Sequence, residues 1–201
     1  MTVLVSPGPL ASGVPSRRLK WTRDDFMRIH GQLTCVGRRV ELIRGDIVDL
    51  GPMNTPHAAC VSKSRHQLAA VFGTVWDVRV QLPLDVSRDT MPFPDLLVVP
   101  FRDDFYVAAH PTPAETGLLV EVADTTLDTD MTDKAELYAV AGIPEYWILD
   151  LNARILHVLR DPGPLAANGT AYRDHRTLGP EDTVSPLAAP DRAVKIADLL
   201  P

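Results

Sequence analysis

Two carboxylates and one lysine stand in or beside segments that the sequence predicts to be buried. Glu121 interrupts the apolar run LLVEV at 118–122, where an ionised carboxylate is strongly disfavoured unless it is paired or bound to metal. Asp95 comes directly before the apolar run LLVV, and Lys134 follows Glu121 on a predicted helix. If the two strands are neighbours, both acids can converge on a hard cation such as Mg²⁺ (or Mn²⁺), which prefers oxygen ligands. These residues therefore indicate a site that holds a divalent metal and handles phosphate.

The chemistry expected of such a site is hydrolysis. A bound metal polarises a phosphoryl oxygen and lowers the pKa of a bound water, while Lys134 could stabilise the developing negative charge or orient that water. A structural alternative stays open, because a buried ion pair between Glu121 and Lys134 or an arginine would also account for the charge. Asp130 lies four residues before Lys134, and this spacing also favours a simple helix ion pair.

The elements around these residues follow from hydrophobic periodicity and turn signals. Thr22 and Asp130 are the predicted N-caps of a first and a third helix, and Gly31 is the predicted stop of the first. The predicted elements are a helix over 21–31, a hairpin over 39–50 with its turn at Arg44-Gly45, a helix over 57–72, strands over 75–86, 94–100 and 118–123, a helix over 130–141, and strands over 145–151, 154–160, 171–178 and 193–197. This order predicts an α/β fold with a mixed central β-sheet flanked by helices. An N-terminal helix and hairpin and a C-terminal β extension complete it.

Bulk properties narrow the class of protein. The 201 residues suit one domain over 17–201, with a core at about 57–160 and a flexible Pro/Gly/Ser arm over 1–16.

Apolar runs fall short of the roughly 18 residues that span a bilayer, so we expect no membrane contact. Cys35 and Cys60 lack metal-ligand spacing and are typical of a cytoplasmic protein with reduced thiols. A net charge of −6 argues against a large nonspecific DNA-binding surface, but it leaves room for a local basic cleft or a metal.

Three segments carry a family resemblance. PDLLVV, LLVEVAD and DTDMTDKAELYAVAGIPEYWILDL closely resemble the Uma2 family of proposed restriction endonucleases, which is placed in the PD-(D/E)xK nuclease superfamily. VELIRGDIVDLGPMNTPH extends the resemblance over about 21–160 and, more loosely, through the tail. The resemblance implies a restriction-endonuclease-like core.

The resemblance also implies roles for individual residues. Asp95 matches the superfamily's first metal-binding acid and Glu121 its second, with the backbone carbonyl of Val122 as a further metal ligand. The superfamily usually has a lysine two residues after the second acid, and this chain has Ala123 there. Lys134 matches the variants in which that lysine moves to the following helix.

Three further positions match recurring residues of the family. Glu41, in the hairpin, is expected to approach the same cleft as a further catalytic acid. His57 is expected as a helix cap or hydrogen-bond partner and less as a substrate contact, and Asp130 as a partner that holds Lys134. Tyr138 is expected to be a core residue.

The resemblance implies a Mg²⁺- or Mn²⁺-dependent endonuclease that hydrolyses DNA phosphodiester bonds with metal-activated water. The alternative is a non-catalytic module that keeps the nuclease fold and binds DNA or a protein partner. A symmetric homodimer is expected by analogy with nucleases that cut both strands.

Overall fold

A computed structural model describes residues 19–165 and 169–201. The predicted arm over 1–16 lies outside the described residues, and the single domain over 17–201 stays a prediction. Besides a 3-10 turn over Pro113–Glu115, the helices of the described residues are α1 (Arg23–Cys35), α2 (Thr55–Phe72), α3 (127–140) and α4 (Ile196–Leu199). The ten strands of the same residues are β1 (Val40–Ile43), β2 (Asp46–Asp49), β3 (Trp76–Val80), β4 (Leu96–Pro100), β5 (Leu118–Ala123), β6 (Glu145–Asp150), β7 (Ile155–Pro164), β8 (Thr170–Leu178), β9 (Thr183–Val184) and β10 (Val194–Lys195).

The centre of the fold is a six-stranded sheet in the order β3-β4-β5-β6-β7-β8. Its neighbouring strands are antiparallel except for β5 and β6, which run parallel. A parallel pair needs a crossover connection, and α3 lies in that connection. Helices pack on both faces, so the predicted mixed sheet flanked by helices is confirmed.

The alternation of side chains along β5 divides the core into two layers. Val120 and Val122 pack in a cluster with residues of α2 and α4, whereas Leu119 and Ala123 pack with residues of α3. Successive strand residues point to opposite faces, so Glu121 lies on the α3 face. The sheet therefore directs this carboxylate toward the helix that carries Lys134.

The N-terminal helix and hairpin form as predicted, with one correction. Thr22 caps α1 by accepting a hydrogen bond from the backbone of Asp25, but α1 continues past Gly31 to Cys35, so the predicted stop at Gly31 is wrong. The chain reverses instead at Gly37, which has φ +78°. A helix end commonly needs such a left-handed residue, and glycine adopts it without strain.

The predicted strand over 75–86 is too long. β3 ends at Val80, because Gln81 adopts φ +51° and this left-handed conformation cannot continue a strand. The predicted strand over 193–197 is also shorter, since only Val194–Lys195 pair and α4 begins at Ile196.

Asp130 does not cap α3. The helix begins three residues earlier, with an α-helical turn over Leu127–Thr129, a π-helical turn over Asp130–Lys134 and a final α-helical part over Ala135–Val140. Asp130 is buried inside it and accepts a hydrogen bond from the Thr126 hydroxyl at 2.6 Å. The helices of the described residues include none that is long and apolar enough to cross a membrane.

Candidate active site

A cavity of about 210 Å³ opens where the β1–β2 hairpin, the start of α2, the adjoining ends of β4 and β5, and α3 meet. The residues predicted from the sequence to form the site all line this cavity: Glu41, His57, Asp95, Glu121, Val122, Asp130 and Lys134. The fold thus brings together residues that are up to 93 positions apart in the chain.

Three hydrogen bonds hold the Asp95 side chain directly before β4. Its Oδ1 accepts from His57 Nε2 at 2.9 Å and from Gln81 Nε2 at 3.0 Å, and its Oδ2 accepts from the backbone N–H of Val122 at 2.9 Å. Burial raises the pKa of Asp95, but these hydrogen bonds outweigh burial and the pKa lies below its ordinary value. Asp95 is therefore an ionised carboxylate of fixed orientation.

Glu121 has the opposite electrostatic environment. Its Oε1 accepts from Lys134 Nζ at 2.9 Å and Tyr138 Oη at 3.0 Å, and its Oε2 accepts from the Asp95 backbone N–H at 3.3 Å. Burial, with a smaller contribution from the nearby carboxylates, raises the pKa of Glu121 to about 8 against the lowering effect of Lys134. Two neighbouring carboxylates with pKa values shifted in opposite directions are typical of sites that carry chemistry.

Lys134 is surrounded by carboxylates. Its Nζ lies 2.9 Å from Glu121, 3.5 Å from Glu41 and 3.7 Å from Asp130. Burial lowers the pKa of Lys134, but the three carboxylates outweigh it and raise the pKa above its ordinary value. Lys134 and Arg39 are the two cationic side chains of a cavity lined by five acidic ones, so acidic groups are in excess.

The π-helical turn aligns the helix side of the site. A π-helical turn closes i→i+5 hydrogen bonds and so holds more residues than an α-helical turn. Residues four apart in a helix share a face, so Asp130, Lys134 and Tyr138 lie on one side of α3, and the last two both contact Glu121. Such turns occur frequently at functional sites.

The donor set fits a hard divalent cation. In a strand, the N–H and C=O groups of one residue point to the same edge. The β4–β5 pairing ends at Leu96 and Val120, and the Val122 N–H donates to Asp95 beyond that end, so the Val122 carbonyl faces the same gap. The described residues contain no group of three His, Cys, Asp or Glu side chains arranged to hold a metal. Mg²⁺ is commonly bound by one or two carboxylates with waters and substrate phosphates, which Asp95, Glu121 and the Val122 carbonyl match.

His57 lies in the first turn of α2. Its backbone N–H donates to the side chain of Asn54, the N-cap of the helix, at 3.0 Å, while its ring contacts Asp95. This is the hydrogen-bonding role expected from the sequence.

Two contacts to the acids were not predicted. Gln81 falls inside the predicted strand over 75–86, and its sequence context contains no signal for a contact with Asp95. Tyr138 is buried, as expected of a core residue, but its hydroxyl also reaches Glu121. Its position one turn after Lys134 on the same face was the available signal.

Comparison with protein families agrees with this geometry. The family model for Uma2, described as "Putative restriction endonuclease", matches residues 24–197. The chain belongs to the Uma2 family. The matched range includes each site residue named above.

A solved structure shares the fold of this Uma2 chain. It is a protein from Anabaena variabilis ATCC 29413 described as a "putative nuclease belonging to DUF820", with a TM-score of 0.67 and 19% sequence identity over 89% of this chain and 97% of that one. Curated proteins gave no match to the chain.

Proposed function

We propose that this protein is a metal-dependent endonuclease that hydrolyses DNA phosphodiester bonds with an activated water. The observation that carries the proposal is the convergence of Asp95, Glu121 and Lys134, from three different elements, in one cavity. Membership of a family described as restriction endonucleases supports DNA as the substrate.

Asp95, Glu121 and the Val122 carbonyl would hold Mg²⁺ or Mn²⁺. When bound, such an ion acts as a Lewis acid on a phosphoryl oxygen and lowers the pKa of a coordinated water. The hydrogen bonds from His57 and Gln81 to Asp95 keep this carboxylate ionised and oriented, which limits the reorganisation that binding requires.

Lys134 would stabilise the negative charge that develops on the phosphoryl oxygens during attack. Its ammonium group is buried, and Glu41 and Asp130 hold it by ion pairs of 3.5 and 3.7 Å in addition to the one with Glu121. A preorganised positive charge in a site that excludes water stabilises a transition state far more than it would in bulk water. Glu41 and Asp130 are in this view positioning residues.

The alternative function, a non-catalytic module that binds DNA or a protein, is favoured by one observation. Lys134 is engaged by three carboxylates, and the described residues offer no three-side-chain metal cluster. Calorimetric titration with Mn²⁺ separates the two functions. The endonuclease requires that the protein binds Mn²⁺ and that Asp95→Asn weakens this binding. A titration without heat of binding supports the non-catalytic module.

The direct test is cleavage of single- and double-stranded DNA in Mn²⁺ or in EDTA. We expect Mn²⁺-dependent cleavage that Asp95→Asn or Lys134→Met lowers by about 100-fold or more, with the circular dichroism spectrum unchanged. Asp161→Asn is the matched control, since Asp161 pairs with Arg173 on the surface, and it should cleave like the wild type. Cleavage that survives both site substitutions contradicts the mechanism.

A further inference from the structure

A second cavity, of about 250 Å³, adjoins the catalytic cavity. The two share Arg39, Leu50 and Phe93 as lining residues. The second cavity extends from there toward the last turns of α1, where His30 lies, and toward Gln81. A ligand could therefore occupy both cavities without leaving the protein surface.

The second cavity has an aromatic wall. The His30 and Phe93 rings are stacked, with centroids 4.9 Å apart and planes inclined by 19°. Val40 and Leu50 add apolar surface to the lining. Flat, apolar and partly exposed surfaces of this kind stack nucleobases, whatever the base, because every base has a π face.

Arg39 supplies the charge that the aromatic wall lacks. It lines both cavities, and among residues 19–165 and 169–201 it has neither an ion-pair nor a hydrogen-bond partner for its side chain. Its neighbour Arg38, by contrast, pairs with Asp49 at 2.8 Å. A guanidinium group without a protein partner at the junction of two cavities fits a phosphate group, which it binds in a bidentate manner.

The second cavity is also connected to the catalytic acids. The Phe93 backbone N–H donates to Glu41 at 3.3 Å, and the Gln81 side chain donates to Asp95 at 3.0 Å. Gln81 does so from a left-handed conformation, φ +51°, which is uncommon for a residue with a long side chain. Strained residues of this kind cluster at active sites and ligand-binding sites.

We propose that the second cavity receives the nucleobase next to the scissile phosphate, stacked on the wall formed by Phe93 and His30, with Arg39 on the adjoining phosphate. The inference rests on the proposed endonuclease function and specifies its substrate class. A base inside a duplex is covered on both faces and paired at its edge, so it must leave the stack to enter a pocket. The preferred substrate is therefore DNA that is unpaired at this nucleotide.

The test measures KM and kcat in Mn²⁺ for single-stranded DNA, a perfect duplex, and the duplex with one mismatch beside the cleavage position. Phe93→Leu removes the stacking surface and keeps an apolar side chain, whereas Phe93→Tyr keeps the surface. Phe101→Leu is the matched control, because Phe101 is an exposed aromatic residue just beyond the opposite end of β4. Urea unfolding of each variant shows whether the fold is retained.

For wild type, we expect a lower KM on single-stranded and mismatched DNA than on the perfect duplex. Phe93→Leu should raise KM by about 5- to 100-fold, the range for loss of one base–aromatic stack, with kcat nearly unchanged. Phe101→Leu should match the wild type, and Phe93→Tyr, which keeps the stacking surface, should have a lower KM than Phe93→Leu. Replacing the flanking nucleotide by an abasic residue should raise the wild-type KM and abolish the difference between wild type and Phe93→Leu.

If the wild type cleaves the intact oligonucleotide and Phe93→Leu has the same KM, the proposed base cavity is wrong. The proposed endonuclease function is not affected by that result. If the wild type cleaves no DNA in Mn²⁺, the proposed function fails instead. Fluorescence anisotropy of intact and abasic oligonucleotides in Ca²⁺ then tests the base cavity without cleavage. Tighter binding of the intact oligonucleotide supports the cavity, and equal binding of the two overturns it.

Discussion

Replacing Lys134 by methionine should destabilise the protein strongly at neutral pH. Methionine is flexible and nearly as long as lysine, so the substitution removes the charge and keeps most of the packing. Glu41, Glu121 and Asp130, whose side chains are 2%, 5% and 3% exposed, then face one another without their ammonium partner.

The magnitude follows from the three ion-pair distances of 2.9, 3.5 and 3.7 Å. At an effective dielectric constant of about 20, each contact between opposite charges contributes a gross attraction of about 4–6 kcal/mol. Desolvation, which also raises the pKa of Glu121 to about 8, offsets most of the sum. The net cost of removing one partner from a buried pair is about 3–5 kcal/mol. The free energy of unfolding of a whole protein is about 5–15 kcal/mol, so the loss is a large fraction of it.

Urea unfolding at pH 7.5 in EDTA measures this loss. With an m-value of about 2–3 kcal/mol per M, the midpoint should fall by about 1–2 M. Lys195→Met is the matched control, because Lys195 forms an exposed pair with Glu181 at the same 2.9 Å distance, and its midpoint should not move. Mn²⁺ should raise the midpoint of Lys134→Met more than that of the wild type, since the variant has one positive charge fewer in the cavity. Equal midpoints for Lys134→Met and wild type would refute the electrostatic reasoning.

Two further predictions concern groups outside the site. Arg160→Met should lower the free energy of unfolding by about 3–5 kcal/mol, because Glu145 is fully buried and accepts a hydrogen bond from Arg160 Nε at 2.8 Å. Arg173→Met, which removes one partner of an exposed pair, is the control. An equal loss of stability in both variants would count against this reasoning. Burial raises the pKa of the Cys60 thiol from 9.0 to about 11, so the folded state retains a proton that the unfolded state loses. This thiol should therefore lower the free energy of unfolding by about 2–3 kcal/mol between pH 9 and 11. In urea unfolding across that range, Cys60→Ala should lose less stability than the wild type by this amount. Parallel pH profiles for the variant and the wild type would show that the thiol does not contribute.

The residues at the centre of the site could be found from the sequence because their charges conflict with their surroundings. Glu121 stands inside an apolar run and Asp95 at the edge of another, so burial requires partners for both. The structure brings them together with Lys134 in one cavity. The mixed sheet could also be predicted, since strands and helices alternate with clear turn signals between them.

The remainder of the site depends on interactions that local patterns do not encode. Asp130 has the residue type and position of a helix cap, but the helix begins earlier and the aspartate is buried beside Thr126. The extra residue of the π-helical turn has no signal in the sequence, because it depends on the packing of α3 against β5. Gln81 likewise has an ordinary strand context, and its left-handed backbone is fixed by contacts with Asp95.

The β1–β2 hairpin gives the two sides of the cavity different local stabilities. The hairpin is a separate two-stranded sheet, and within the part of the chain that the structure describes its strand pairing to the rest of the protein is the single bridge between Leu42 and Met91. Its buried face packs in a small cluster of its own, where Val40 and Leu42 contact Phe26 and Met91, apart from the two clusters of the central sheet. The hairpin amides should therefore exchange with solvent through local openings that leave the central sheet intact. Asp95, which directly precedes β4, and Glu121, inside β5, would remain assembled during such openings. A polymer in the cavity would then meet these two carboxylates in a fixed arrangement, while the hairpin side of the cavity adjusts to its shape.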